Sequence, residues 1–155
     1  MSEKDWIVET HPYTEKWTGH GFLQLCADRR FHSLIQEEFM KDAKLSSSED
    51  YWIHADAGGT PMMADQKITP VYCYRDKEVR IMGWSAHGDG CGGYGQEVPD
   101  DVIKRDLCKT MKKNVREYPL ATHYIYFVTI QNGRTVIART IAKPGEDLIC
   151  TEDPE

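Results

Sequence analysis

The chain has 155 residues, a length that suits one compact domain with a real core and is short for two. Its formal charge of −6 leaves no basic surface to neutralise a nucleic-acid backbone or to dock on anionic lipid. No apolar run approaches the roughly 18 to 20 residues that cross a bilayer, and Met1 to Thr10 hold no apolar leader core, so a cytoplasmic location without nucleic-acid or membrane partners is expected.

Taken in chain order, Gly21 to Ala27 (GFLQLCA) reads as a short apolar strand, and Asp28 to Ala43 as a helix with Phe31, Leu34, Ile35 and Phe39 at helical spacing. Leu45 to Glu49 is a polar linker, and Tyr51 to Ala57 a second strand that ends at the Gly58-Gly59 turn. Val79 to Ala86 is a third, buried strand, and it runs into His87 to Gly95, where five of nine residues are glycine. Pro99, Asp100 and Asp101 make a helix start, followed by Val102, Ile103, Leu107, Met111 and Val115 along one face. Ala121 to Ile130 and Arg134 to Ala142 flank Asn132-Gly133, a dipeptide suited to a tight hairpin turn. This order predicts an α/β fold: a mainly parallel sheet flanked by helices, with a C-terminal antiparallel hairpin. A single domain over residues 1–155 is expected, with 1–15 and 143–155 as candidates for flexible ends.

In a parallel sheet, ligands bind at the carboxyl ends of the strands, where Cys26, Gly58 and His87 are all predicted to lie. The five cysteines are odd in number and widely spread, which does not fit a disulfide framework. Zinc favours thiolate and imidazole ligands, and a catalytic zinc keeps three protein ligands and an open fourth position. Cys26 from one strand end, with His87 and Cys91 from another, supply such a set, and the glycines around Cys91 permit the tight loop it needs. A buried strand thiol and an ordinary loop histidine fit the same spacing. Cys73, Cys108 and Cys150 lack metal-like neighbours, Asp89 between glycines reads as a solvated turn residue, and His54 as a strand histidine satisfied by its neighbours. Tyr118, Tyr124, Tyr126 and Phe127 read as sheet core rather than a base-stacking surface.

The residues beside the cysteines add weight to the metal reading. Cys26-Ala27-Asp28-Arg29-Arg30 resembles the Cys-x-Asp-x-Arg motif of the β-class carbonic anhydrases. Ala57-Gly58-Gly59 resembles that family's Ala-Gly pair, and His87-Gly88-Asp89-Gly90-Cys91-Gly92-Gly93 resembles its His-x-x-Cys-Gly loop, in the family's order. The resemblance implies Cys26, His87 and Cys91 as zinc ligands, Asp28 and Arg30 as the acid and base pair beside the metal, and a homodimer or higher homo-oligomer. It also implies reversible hydration of carbon dioxide to bicarbonate by zinc-bound hydroxide. The sequence departs from the pattern in having three residues, Gly88, Asp89 and Gly90, where the family has two. Arg29 replaces the family's serine, and Ala55-Asp56 its Arg-Asn. The same site acting on carbonyl sulfide or carbon disulfide, or a structural or sensory zinc protein with Asp28 as a fourth ligand, are the other readings carried from the sequence.

Overall fold

A computed structural model describes residues 5–14, 16–63, 67–95 and 97–149. Cys150, and the outermost parts of both ends expected to be flexible, lie outside them. Among the described residues five strands form one sheet, ordered β2-β1-β3-β4-β5. They are β1 (Gly21–Cys26), β2 (Tyr51–Asp56), β3 (Ile81–His87), β4 (Thr122–Gln131) and β5 (Arg134–Ala142). The first four run parallel and β5 closes antiparallel on β4, so the mainly parallel sheet with its terminal hairpin is as the sequence predicts. Gln131 pairs with Arg134, leaving a two-residue loop in which Asn132 (φ 52°) and Gly133 (φ 72°) both take the left-handed conformation. That is the turn whose twist matches its flanking strands.

Helices lie on both faces. Helix α1 (His32–Ala43) buries Ile35 and Phe39 with Leu23, Leu25, Tyr126 and Val128 on one face. Helices α2 (Ile68–Asp76) and α3 (Asp100–Glu117) cover the other, where Cys73, Ile103, Leu107, Met111 and Val115 pack with Phe22, Met82 and Trp84. Being covered on both faces, β1 is buried at every residue rather than alternately, with Gln24 as its one polar side chain. The aromatic residues are core as expected, on both faces of the sheet: Tyr118 and Phe127 are buried on one, and Tyr126 on the other with Tyr124 partly buried against that cluster.

Two boundaries differ from the sequence reading. The helix expected from Asp28 begins at His32, because the Asp28 side chain accepts from the Arg30 amide and caps a separate 3-10 turn over Arg29–Phe31. Helix α2 was not expected at all. Its first turn, Ile68-Thr69-Pro70-Val71-Tyr72, is rich in β-branched and aromatic residues that disfavour a helix, but proline sits without penalty where the amide has no helical partner. No helix among the described residues is long and apolar enough to cross a membrane.

Candidate metal centre

The connections decide where a site can form. From β1 the chain goes through α1 to β2 on one side of it, then returns through α2 on the opposite face to β3 on the other side. The carboxyl ends of β1 and β3 therefore meet at the point where the winding reverses, the place where a doubly covered parallel sheet opens a crevice. Cys26 is the last residue of β1 and His87 the last of β3.

Local chemistry ends both strands there. After Cys26 the Ala27 amide still pairs with the Asp56 carbonyl (3.0 Å), and the His32 ring bonds the Cys26 carbonyl from the start of α1. After His87 the chain folds back through Asp89 (φ 56°) and Gly90 (φ 77°), which brings Cys91 over the end of β1. Gly93 can only be glycine: a Cβ there would lie 2.3 Å from the Gly58 backbone nitrogen. The loops after β2 and β3 thus touch backbone to backbone, and the Ala57-Gly58-Gly59 turn closes one wall of the site.

The ligand-capable atoms of Cys26, His87 and Cys91 all lie within 4.8 Å of one another, and all three residues are buried. The two sulfurs are 3.8 Å apart and both cysteines are free. Two thiolates at tetrahedral positions about a zinc ion, with bonds of about 2.3 Å, would stand about 3.8 Å apart, so the spacing of the two sulfurs matches that ion. His87 Nδ1 lies 2.9 Å from the Gly88 carbonyl, which only accepts, so Nδ1 carries the proton and Nε2 presents its lone pair. That Nε2 is buried and has no hydrogen-bond partner. A buried orphan nitrogen next to two thiols is what a ligand set leaves when its ion is not counted.

Burial alone would raise the Cys26 thiol, but His87 and the backbone at Asp28 and Gly58 outweigh it and bring it down to about 7. Cys91 is pushed up, by burial first and then by the charge of Cys26. For His87 burial opposes the charged form, yet Cys26, the Gly88 carbonyl and Asp28 together raise it. The pocket thus favours the thiolate at Cys26, the form in which a cysteine binds a metal, while an ion on His87 would take the place of a proton.

Asp28 and Arg30 stand at the mouth. Asp28 Oδ2 lies 3.8 Å from His87 Nε2, accepts from Arg30 Nε at 2.9 Å and stands 2.9 Å from Nη2, while Oδ1 accepts from the Arg30 amide at 3.0 Å. Burial would raise the Asp28 carboxyl, but these bonds hold it below the usual carboxylate range, and Asp28 in turn raises the Arg30 guanidinium. The fold is similar to that of β-carbonic anhydrases. With the β-carbonic anhydrase isoform I of the protozoan Trichomonas vaginalis the chain shares 16% identity over 83% of its own length and 87% of the other, at a TM-score of 0.47. With one of two tetrameric β-carbonic anhydrases from the filamentous ascomycete Sordaria macrospora it shares 13% identity over 81% and 84%, at 0.44. No protein-family model matches the chain, and no curated protein matches it.

All five residues singled out from the sequence come together here, three around one point and two at its mouth. His54 is satisfied by its sheet neighbours as expected: Nδ1 lies 2.9 Å from Gln24 Oε1 of β1 and 3.2 Å from Asp56 Oδ2. Asp89 is an exposed turn residue as expected, with contacts beyond that reading. Its carboxylate and its carbonyl both meet Arg30, at 3.2 and 3.1 Å, and Gly90's carbonyl does so at 2.7 Å. The extra residue between His87 and Cys91 therefore has a partner. The available signal is a carboxylate between His87 and Cys91 in a chain whose sequence already places Arg30 beside Cys26.

Proposed function

We propose that this chain is a zinc enzyme that catalyses the reversible hydration of carbon dioxide to bicarbonate. The observation that carries the reading is an ionised carboxylate, Asp28, held by Arg30 just outside a buried Cys-His-Cys donor set. Cys26, His87 and Cys91 would hold the zinc. When bound, zinc lowers the pKa of a water at its open position to about 7, which supplies a nucleophile near neutral pH.

The chain's own residues do the rest. Asp28 takes two hydrogen bonds from Arg30 and keeps acceptor capacity to spare, since a carboxylate has about four lone-pair positions. Its oxygen can therefore accept a hydrogen bond at the mouth and turn the bonded oxygen's other lone pair toward the substrate carbon. Arg30, bound to Asp28 and the ligand loop together, keeps the carboxylate ionised and off the donor atoms. The Gly58–Gly93 contact and the buried cysteines exclude bulk water from the other walls. A purely structural zinc would more naturally take a fourth cysteine or histidine than an Asp-Arg pair. We further infer a homo-oligomer, a dimer at least, because Trp6 and Ile7, each 92% exposed, and Ile53 on the edge strand β2 leave apolar surface uncovered in one copy.

The test is a carbon dioxide hydration assay beside metal analysis of the same preparation. About one zinc per chain, with a rate that rises with pH through one ionisation near 7 to 8, is the expected result. Zinc-loaded protein that hydrates carbon dioxide no faster than the free ion would defeat the reading.

A further inference from the structure

The stretch Gly88-Asp89-Gly90, between the two ligands of the ligand loop, is held from two sides. On the outer side stands Asp100, the first residue of α3. One carboxylate oxygen accepts from the Asp89 amide at 2.9 Å and the other from the Thr129 hydroxyl of β4. The carboxylate is pressed so close to Gly88 that a Cβ there would meet it at 2.3 Å. On the inner side stands Arg30, with the Asp89 carboxylate and the carbonyls of Asp89 and Gly90. Asp89 takes a left-handed conformation, φ 56°, which a residue with a side chain keeps only where its surroundings over-determine it.

An aspartate at the start of a helix is ordinarily there for that helix, by capping it or by meeting its dipole. Here the helix start has no side-chain cap, and both Asp100 oxygens are spent away from α3, on the loop and on β4. Thr129, Asp100, the Asp89 backbone, Arg30 and Asp28 form one unbroken chain of hydrogen bonds from β4 to the carboxylate at the mouth of the donor set.

We propose that Asp100 is a positioning residue that sets Asp28, by fixing the Asp89–Gly90 segment on which Arg30 rests. The proposal rests on the zinc-site reading above. Without Asp100 the segment is free to leave its left-handed turn, Arg30 loses the carbonyls that aim it, and Asp28 is released toward the donor atoms. The effect passes through geometry and not through charge, because Asp100 itself touches neither the ligands nor Asp28.

The experiment compares wild type with Asp100→Ala, Asp100→Asn and Thr129→Val, and with Arg30→Ala as the spectral reference. For each it reads metal content, thermal unfolding, the visible spectrum of the Co2+-substituted protein, and kcat and KM for carbon dioxide hydration. Asp100→Ala is expected to keep its metal, to shift the Co2+ spectrum in the direction Arg30→Ala shifts it, and to lower kcat about tenfold to a hundredfold with KM little changed. Thr129→Val, nearly isosteric, removes one anchor of Asp100 and should shift the spectrum the same way with a smaller fall in kcat, about twofold to tenfold. Asp100→Asn can still accept from Asp89 and pair with Thr129, so it should return both spectrum and turnover close to wild type. If Asp100→Ala does not fold, the valine and asparagine variants carry the same test.

A wild-type spectrum and turnover in Asp100→Ala and Thr129→Val would overturn the proposal. So would loss of metal from Asp100→Ala, which would mean that Asp100 supports the ligands and not Asp28. An asparagine variant as damaged as the alanine variant would overturn it in favour of a charge effect. If wild type binds Co2+ but hydrates no carbon dioxide, the functional reading fails, and the spectral comparison still decides the role of Asp100.

Discussion

Two histidines on adjacent strands, His123 near the start of β4 and His87 at the end of β3, are buried alike, at 1% and 2% exposed, yet they live in different chemistry. His123 is complete: Nδ1 accepts from Trp84 Nε1 at 3.0 Å, and Nε2 donates to the Tyr118 carbonyl at 2.9 Å. His87 uses only Nδ1 and leaves Nε2 unpaired beside two thiols. Burial alone therefore does not mark a functional histidine. What marks it is the unspent atom beside two thiols, because an unmatched buried nitrogen costs free energy that a bound ion there would recover.

The sharpest way to break this comparison is at the sulfurs. Cys26→Ser or Cys91→Ser should reduce bound zinc from about one per chain to a small fraction of that, while Cys108→Ser leaves it in place, as read by metal analysis after dialysis. Full zinc in all three variants would move the centre elsewhere and make the orphan at His87 an accident.

Next in size is the carboxylate. Asp28→Asn should lower carbon dioxide turnover about 10- to 1000-fold at unchanged zinc content, the range for one positioned acid or base group. Arg30→Ala should do comparable harm, and the double variant should be far less damaged than the two losses combined predict, since both residues act as one unit. Additive losses would separate them.

At His123 the expected effects are on stability. His123→Ala strands the Trp84 N–H and the Tyr118 carbonyl and leaves a cavity, so it should cost about 2 to 4 kcal/mol in denaturant unfolding with zinc content unaffected. His87→Ala, measured on the metal-free protein, should cost less, because it removes an unsatisfied atom along with its contacts. Equal costs would erase the distinction between the two sites.

The smallest expected effect is in pH. Burial holds His123 below its ordinary value of 6.5, with the Tyr118 carbonyl only partly offsetting it, so the folded protein keeps it neutral where the unfolded chain takes up a proton. The stability it contributes is fully present above pH 6.5 and is lost as pH falls from there through the lower folded value. Denaturant midpoints should show a steeper acid loss below pH 6.5 in wild type than in His123→Gln. Parallel profiles would remove His123 from the account.

Most of the fold was legible because each element carries its own period. The 4-residue spacing of Ile103, Leu107, Met111 and Val115 and the Asn132-Gly133 turn are local signals, and the structure matches both. The donor set was legible for a related reason: strand ends and glycine loops announce themselves locally, and the parallel sheet brings their ends together. What stayed hidden depended on distance. Asp89 gains its role from Arg30, 59 residues earlier, and α2 gains its helix from packing Pro70 and Cys73 against a core that its own β-branched sequence does not foreshadow. His87 and His123 look alike as letters, and only their neighbours across the sheet tell them apart.

The meeting of Cys26 and Cys91 at the reversal point also has a meaning for the chain as a polymer. The two sulfurs are 65 residues apart in sequence, and between them lie α1, β2, α2 and β3. An ion that stays on both ties off that whole stretch as one loop, and by the loop-closure relation this takes about 4 kcal/mol of configurational freedom from the unfolded chain. Chelation would hand that freedom back, so a metal bound there would also act as a clasp on the assembly of the first three strands.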